Sequence, residues 1–209
     1  FTSGKKEEFL STAGSELISA LAGGAVMAVA GFAAAGPLSR LMNIPAQLKD
    51  SVEQLTRIYS LGLVFAYLLI NSNGVLRGCK MIKRSLLTMA VVCVLNTVLN
   101  FLLAFRTPLG YSGIAYATVI STVVGCLINF VFMLRLVPGS WRFSRQALLA
   151  IAHIGWPAGL LQVLWQLGLV SLYMVLAALP QYPIEIMAAF TNGLKVQSAI
   201  FLSAFAFNM

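Results

Sequence analysis

Long apolar stretches, separated by short segments that hold most of the lysines and arginines, run along the whole chain. Each stretch reaches the roughly 20 residues that an α-helix needs to cross a hydrocarbon core about 30 Å thick. Because backbone groups in lipid must be paired within their own segment, each stretch is predicted to be a helix. The pattern predicts an all-α, polytopic membrane helical bundle. Its six predicted spans are 17–39, 58–76, 85–105, 113–134, 157–179 and 186–209.

One charge-free stretch, 146–184, is too long for a single crossing. A continuous helix over 146–179 would measure about 51 Å at about 1.5 Å per residue. A break is therefore predicted at Gly155, Pro157 and Gly159, because proline removes a helical hydrogen bond and glycine relieves crowding at the kink. Residues 144–154 are then expected to lie along the membrane interface. Other residues are expected to mark turns or helix ends: Pro37, Pro45, Asn71, Asn73, Pro108, Pro180 and Pro183.

The composition excludes a soluble globular domain. The chain of 209 residues is 59% hydrophobic and only 10% charged, with a mean hydropathy of +0.89. Charged residues supply about a quarter of an ordinary soluble domain. The net charge of +8 does not indicate a nucleic-acid partner, because the cations lie in the connecting segments, where membrane topology accounts for them. The lipid bilayer is the predicted partner.

The cations are unevenly divided between the two sides of the predicted bundle. Segments 1–16, 77–84 and 135–145 fall on one side and hold nine lysines and arginines, and the opposite segments hold four. By the positive-inside rule the first side is cytoplasmic, so the amino-terminal end of the chain is expected inside. A bacterial inner membrane is the expected location.

Three polar side chains are predicted to meet at matching depth in the third and fourth spans. Asn96 and Asn100 are four residues apart on one helical face, and Thr118 enters from the neighbouring span. Polar groups at membrane depth often mark functional sites. The oxygens of these three residues can coordinate a cation such as Na⁺ or line a polar cavity. An ordinary interhelical hydrogen bond explains the same residues, and both interpretations stay open.

A second polar set is predicted in the fifth and sixth spans. Gln162 and Gln166 are four residues apart, and Lys195 and Gln197 lie at similar depth in the sixth span. The Lys195 stem is too short to reach an interface about ten residues away, so its amine is expected in a wet cavity or beside a partner. The partner is Gln166, Gln197 or a carboxylate from a helix outside this chain. A shifted span boundary, which would leave Lys195 nearer the surface, is the alternative.

No enzymatic chemistry is predicted. The sequence contains no recognisable hydrolytic triad, phosphate-binding glycine loop or metal-ligand cluster, no acidic residue lies inside a predicted span, and no catalytic residue or cofactor is assigned. Four aromatic residues can instead form a wall that stacks organic cations: Tyr67, Tyr116, Trp165 and Tyr173. Contact with lipid is the alternative role of these four side chains.

Several short stretches, in their order and spacing, resemble the multidrug and toxic compound extrusion (MATE) transporters. They are Gly74-Val-Leu-Arg-Gly78, 109–121 (LGYSGIAYATVIS), Ile154-Gly-Trp-Pro157 and 188–194 (AAFTNGL). The resemblance implies a two-lobed fold of which this chain is a piece, roughly the third to eighth of twelve helices. Residues 1–134 would belong to the amino-terminal lobe, 135–145 would be a cytoplasmic linker, and 146–209 would begin the carboxy-terminal lobe.

The resemblance also implies a cation site in the amino-terminal lobe. Asn96 matches the family's Asn and Thr118 its Thr, whereas Asn100 stands where the family has Asp. An amide cannot exchange a proton, and it attracts Na⁺ less strongly than a carboxylate does. A glutamate that some members carry in the seventh helix is replaced here by Trp165. Coupling to Na⁺ or H⁺ is therefore expected to depend on helices outside this chain, or the protein is an atypical member.

The function implied by the resemblance is export. The protein would be a secondary active, ion-coupled antiporter that moves amphipathic or cationic organic compounds by alternating access. Two alternatives stay open: a flippase for lipid-linked precursors that shares the fold, and a structural membrane subunit that transports nothing. The full-length protein is expected to be a monomer that binds a small organic substrate within the bilayer.

Overall fold

The computed structural model describes residues 3–41, 46–136, 145–179 and 183–207. Over these residues the regular secondary structure is entirely α-helical, which confirms the all-α prediction. The six helices are α1 (Ser3–Leu41), α2 (Ala46–Gly78), α3 (Ile82–Phe105), α4 (Tyr111–Leu136), α5 (Arg145–Ala177) and α6 (Pro183–Phe207).

Within the described part of the chain, five helices are long and apolar enough to cross a membrane. The candidate spans are Thr12–Arg40, Lys49–Gly78, Ile82–Phe105, Tyr111–Leu134 and Leu148–Ala177. They bear out the prediction of a multi-pass membrane protein. The sixth predicted crossing, 186–209, falls largely on α6, and its role as a crossing stays a prediction.

Helix α1 extends far beyond its predicted span. It contains 39 residues, so its axis is about 58 Å long, almost twice the thickness of a hydrocarbon core. Residues 3–16, predicted to be a polar connecting segment, are therefore helical. An apolar pattern marks the part of a helix that lies in lipid, whereas the hydrogen bonds within the helix continue into water.

Two predicted helix breaks at proline are wrong. Helix α5 is continuous over Arg145–Ala177 with Pro157 inside it, and Pro37 lies inside α1. A single proline removes one hydrogen bond and leaves the neighbouring turns intact, so neither residue ends its helix. The segment 144–154, predicted to lie along the interface before the fifth span, is part of α5 from Arg145 onward.

The predicted helix end at Asn71 and Asn73 is also wrong, because α2 continues to Gly78. Asn71 donates its side-chain amide to the Tyr67 carbonyl at 2.8 Å, and Asn73 donates to the Leu69 carbonyl at 2.8 Å. Each carbonyl lies four residues earlier in the same helix. The two amides are therefore paired within α2 and do not interrupt it.

Left-handed residues occur where helices end or begin. Lys80, just after α2, has φ 60°, and Gly110, just before α4, has φ 53°. Such residues reverse the chain after the last helical turn, and glycine does so without steric cost. The predicted turn at Pro108 and the predicted boundary at Pro183 agree with the structure. Two other predicted turn residues, Pro45 and Pro180, lie outside the described residues.

The chain divides into two compact units, Phe1–Ala152 and His153–Met209. In the first unit, α2 lies between α1 and α4, and α3 packs mainly on α4. In the second unit, the Tyr173 hydroxyl on α5 is hydrogen-bonded to the Thr191 hydroxyl on α6 at 2.8 Å. The predicted division into lobes, with a linker at 135–145, stays a prediction.

Small residues allow α1 to approach α2 closely. An ideal Cβ atom placed on Gly24 would lie 3.0 Å from the Val64 Cα atom and 3.2 Å from the Tyr67 Cβ atom. A Cβ atom placed on the preceding Gly23 would meet nothing within 4 Å. Close backbone approach of this kind holds helices together in lipid, where packing replaces the hydrophobic effect.

Replacing Gly24 by alanine is expected to lower the free energy of unfolding by about 1 to 2 kcal/mol, because the added methyl group pushes α1 away from the α2 backbone. Gly23→Ala is the matched control, since it adds the same group in open space and gains up to about 1 kcal/mol of helix propensity. Unfolding of both variants in detergent micelles measures the difference. Equal effects would contradict close packing of α1 on α2.

Candidate functional site

Polar side chains form a connected chain of hydrogen bonds across the seam between α3 and α4. The Asn100 amide donates to the Asn96 side-chain oxygen at 3.0 Å. The Asn96 amide in turn donates to the Thr118 hydroxyl at 3.3 Å and to the Ser121 hydroxyl at 3.2 Å. We call these four residues the seam cluster.

The hydroxyls of the seam cluster are held in place by their own helix. Thr118 donates to the Ile114 carbonyl at 3.0 Å, and Ser121 donates to the Thr118 carbonyl at 3.0 Å. Each hydroxyl already donates its only hydrogen to a backbone carbonyl, so it can only accept a hydrogen bond from Asn96. Both hydrogens of the Asn96 amide are therefore used, and its oxygen is left to accept from Asn100.

One atom of the seam cluster is left over. The Asn100 side-chain oxygen is buried and has no hydrogen-bond partner among the described residues. A buried polar atom without a partner costs free energy, so such atoms usually have a ligand, a water molecule or another protein group beside them. This oxygen is where the seam cluster can bind something further.

The structure brings together the three residues predicted to meet here. Asn96, Asn100 and Thr118 are linked as expected, so the interhelical hydrogen bond is observed, whereas a cation at these residues stays a prediction. Sequence reasoning missed Ser121, which is 1% exposed. The available signal was its position three residues after Thr118, on the same helical face.

The donor set of the seam cluster determines its chemistry. Amides and hydroxyls do not titrate near neutral pH, so the cluster cannot itself hold or release a proton. Uncharged oxygens are ligands for hard cations rather than for soft metals. Among the described residues no group of three His, Cys, Asp or Glu side chains is placed to hold a metal ion.

The polar residues predicted in the fifth and sixth spans all lie on exposed surfaces of the second unit. Lys195 is exposed and has no ion pair with any described residue. That these residues line a cavity stays a prediction, as does a partner for Lys195. The exposed set is Gln162, Gln166, Lys195 and Gln197.

The role of the predicted aromatic wall as a binding surface likewise stays a prediction. Tyr67 and Tyr116 are partly exposed in the first unit, and Trp165 is 61% exposed in the second. Tyr173 packs its ring edge-on against Phe190, with ring centroids 5.6 Å apart, in addition to its hydrogen bond to α6. These side chains are available for contact with lipid or with an organic cation.

A second buried polar group, nearer the other ends of α3 and α4, was not anticipated. The Asn129 amide on α4 donates to the Ser72 hydroxyl on α2 at 2.8 Å. The Ser85 hydroxyl on α3 donates to the Asn73 side-chain oxygen on α2 at 2.7 Å. These bonds connect α2 to both of its later neighbours and explain why Asn73 is buried inside a helix rather than at its end.

Three acidic residues lie within candidate spans, contrary to the prediction: Glu16 in Thr12–Arg40, and Asp50 and Glu53 in Lys49–Gly78. Both spans begin earlier than the predicted boundaries at residues 17 and 58. A Cβ atom placed on Gly74 would lie 3.8 Å from a Glu16 carboxylate oxygen, so this side chain faces α2.

The comparisons with known proteins agree with this architecture. The MatE family model matches residues 1–102. The probable multidrug resistance protein YpnP of Bacillus subtilis (strain 168) is 29% identical over 185 residues, which cover 85% of this chain and 40% of that protein. The chain therefore spans about two fifths of the length of the curated relative that it matches.

Solved structures show the same arrangement of helices. An inward-facing multidrug resistance MATE family transporter of the MOP superfamily is 26% identical with a TM-score of 0.74, covering 82% of this chain and 41% of the other. A MOP superfamily transporter from Pyrococcus furiosus is 23% identical with a TM-score of 0.77, covering 90% and 43%. Together these matches show that the chain is similar to multidrug and toxic compound extrusion (MATE) transporters in sequence and in fold.

Proposed function

We propose that this chain is part of an ion-coupled antiporter that exports amphipathic or cationic organic compounds by alternating access. The observation that carries the proposal is the buried, unpaired side-chain oxygen of Asn100 within the seam cluster. An oxygen so placed can take a cation as its missing partner, together with the oxygens of Asn96 and Thr118. The substrate class is supported by the similarity of the chain to YpnP, a probable multidrug resistance protein.

Among coupling ions, the seam cluster favours Na⁺ over H⁺. Its amides and hydroxyls offer oxygen atoms to a metal ion and have no group that can carry a proton between pH 5 and 9. Because a neutral amide replaces a carboxylate at Asn100, the attraction for the ion is weaker than at a charged site. The ion would therefore bind loosely unless an acidic side chain from another helix approaches the same oxygen.

The orientation that goes with this proposal follows the distribution of charge. The end of the bundle near Arg77, Lys80 and Arg84 would face the cytoplasm, and the end near Arg40 and Arg106 would face outward. In a bacterial inner membrane the seam cluster would then lie in the outward-facing half of the bilayer. The coupling ion would reach the cluster when the transporter opens outward, which is the state in which an exporter releases its substrate.

Replacing Asn100 by aspartate is the direct test, because it puts a negatively charged carboxylate where the unpaired amide oxygen now lies. Na⁺-dependent substrate efflux from reconstituted vesicles is expected to become steeper, and the Na⁺ concentration for half-maximal rate is expected to fall about tenfold or more. A change of that size corresponds to about 1.4 kcal/mol, a modest part of the attraction between charges at contact distance. The experiment needs the complete transporter, with all of its helices.

Asn71→Asp serves as the control, since Asn71 also has a side-chain amide but pairs it with its own helix and shares no bond with the seam cluster. Its ion dependence is expected to match that of the unaltered protein. If Asn100→Asp leaves the Na⁺ and pH dependence of efflux unchanged, the seam cluster is not the ion site. If the unaltered protein moves no organic substrate but moves a lipid-linked precursor, the flippase alternative replaces export.

A further inference from the structure

Four cations are gathered at the turn between α2 and α3. Arg77, Lys80, Lys83 and Arg84 are all exposed, and none forms an ion pair with another described residue. The sequence has no Asp or Glu between Glu53 and Glu185, and the Glu16 carboxylate of α1, which faces Gly74, forms no ion pair with these cations. We call these four residues the basic turn.

Two of these cations are held by neighbouring groups rather than left free. The Arg77 side-chain Nε donates to the Asn73 carbonyl at 3.3 Å. The Arg84 guanidinium lies over the Phe132 ring of α4, 5.5 Å from its centroid, a cation–π geometry. Lys80 leaves the end of α2 in a left-handed conformation with φ 60°. The remaining guanidinium hydrogens are therefore presented from a partly fixed position.

An apolar groove runs over α2 between α1 and α4. It has a volume of about 240 Å³, and all but one of its lining residues are apolar. Helix α1 contributes Leu17, Ile18 and Leu21, and α4 contributes Phe130 and Met133. The remaining lining residues are Leu68, Ser72 and Cys126. We call this feature the α1–α4 groove.

The groove and the basic turn lie at the same end of the first unit. Met133 lines the groove and also packs with Ala13, Val75 and Leu76 in a buried cluster. The residues that rest on this cluster include Cys79 and Met81 of the basic turn's own loop, and Phe132, over which Arg84 lies. The groove and the cationic surface therefore contact the same buried cluster.

We propose that this end of the molecule binds an anionic phospholipid, with its phosphate at the basic turn and an acyl chain in the α1–α4 groove. A ligand that satisfies both features must be negatively charged at one end and apolar at the other. Clusters of lysine and arginine beside a membrane span attract anionic headgroups, and arginine holds phosphate through several hydrogen bonds. A zwitterionic lipid would fill the groove but has no net charge for the basic turn. The proposal does not depend on export or on the seam cluster.

The charge requirement is tested with protein purified in detergent and titrated with phosphatidylglycerol or phosphatidylcholine, the bound lipid being counted by native mass spectrometry. Lys80→Gln/Lys83→Gln is expected to weaken phosphatidylglycerol binding about thirtyfold, because each cation near an anionic surface contributes about fivefold. Arg40→Gln/Arg106→Gln removes the same charge at the other end of the bundle and is expected to leave binding unchanged. Equal loss in both variants, or equal binding of the two lipids, would overturn the proposal.

The groove is tested separately with Ile18→Trp, which fills it. Val29→Trp is the control, because Val29 lies on α1 outside the groove and is 71% exposed. Only Ile18→Trp is expected to reduce phosphatidylglycerol binding, and glycerol phosphate, which has no acyl chain, is expected not to compete. Two outcomes would overturn the acyl-chain assignment. One is full competition by glycerol phosphate, and the other is a change in oligomeric state with Ile18→Trp while lipid binding is retained.

Discussion

Replacing Gly113 by alanine is expected to lower the free energy of unfolding by about 2 to 3 kcal/mol, the upper part of the range for overpacking. Gly113 lies in the first turn of α4, and a Cβ atom there would be 2.6 Å from the Leu103 carbonyl oxygen and 2.7 Å from its carbon. These atoms belong to the backbone of α3, so the clash cannot be relieved by turning a side chain. The two helices would have to separate at the end where they are joined.

The measurement is again unfolding in detergent micelles, with Gly23→Ala as the control because a Cβ atom there meets nothing within 4 Å. Helix propensity favours alanine at both positions by up to about 1 kcal/mol. Any excess loss at Gly113 therefore reports the contact with α3. If the two variants are equally stable, α3 and α4 do not approach each other as closely as the structure has them.

The number of helices and their places along the chain were predictable because lipid imposes a simple rule on the sequence. A run such as 85–105 must be helical if it crosses a bilayer, and α3 (Ile82–Phe105) agrees with it within three residues at its start. The ends of α1 and α2 were not predictable in the same way. Outside lipid, polar residues suit a helix and a loop equally well, so hydropathy does not indicate where the helix stops.

Prolines and asparagines misled the prediction for two different reasons. A proline removes only one helical hydrogen bond, so Pro37 and Pro157 remain inside their helices. An asparagine favours turns because its side chain hydrogen-bonds to nearby backbone groups, and within a buried helix those bonds can be made without ending the helix. Asn73 is 4% exposed and pairs with both its own helix and Ser85 of α3. A residue that marks a helix end in water therefore links two helices here.

Part of the candidate site was predictable because it depends on helical periodicity and depth. Asn96 and Asn100 share a face of α3, and Thr118 meets them because neighbouring antiparallel spans bring equal depths together. Ser121 was missed because serine is common in membrane helices and most often bonds to its own backbone. The relation of the seam cluster to Gln162, Gln166, Lys195 and Gln197 depends on packing between units, which periodicity does not encode.

Replacing Asn96 by leucine is expected to have the largest effect on the seam cluster, about 2 to 3 kcal/mol of unfolding free energy together with loss of ion-dependent transport. Asn96 donates two hydrogen bonds to α4 and accepts one from Asn100 of its own helix, and interhelical bonds in membranes contribute about 0.6 kcal/mol each. The substitution also leaves the Asn100 amide with neither its donor nor its acceptor paired, and an unpaired buried group costs a further 1 to 3 kcal/mol, roughly.

The neighbouring Thr97→Val is the matched control, because the Thr97 hydroxyl is exposed and donates at 2.9 Å to the Cys93 carbonyl of its own helix. It is expected to change stability by less than about 0.5 kcal/mol, as surface substitutions usually do. Thr118→Val combined with Asn96→Leu completes a double-mutant cycle. The double variant is expected to lose less stability than the sum of the losses of the two single variants, because the residues share a hydrogen bond. Two outcomes would mean that Asn96 does not hold α3 and α4 together: strict additivity in the cycle, or a stability loss in Asn96→Leu no greater than that in Thr97→Val. The unpaired oxygen of Asn100 would then have no fixed position from which to bind a cation.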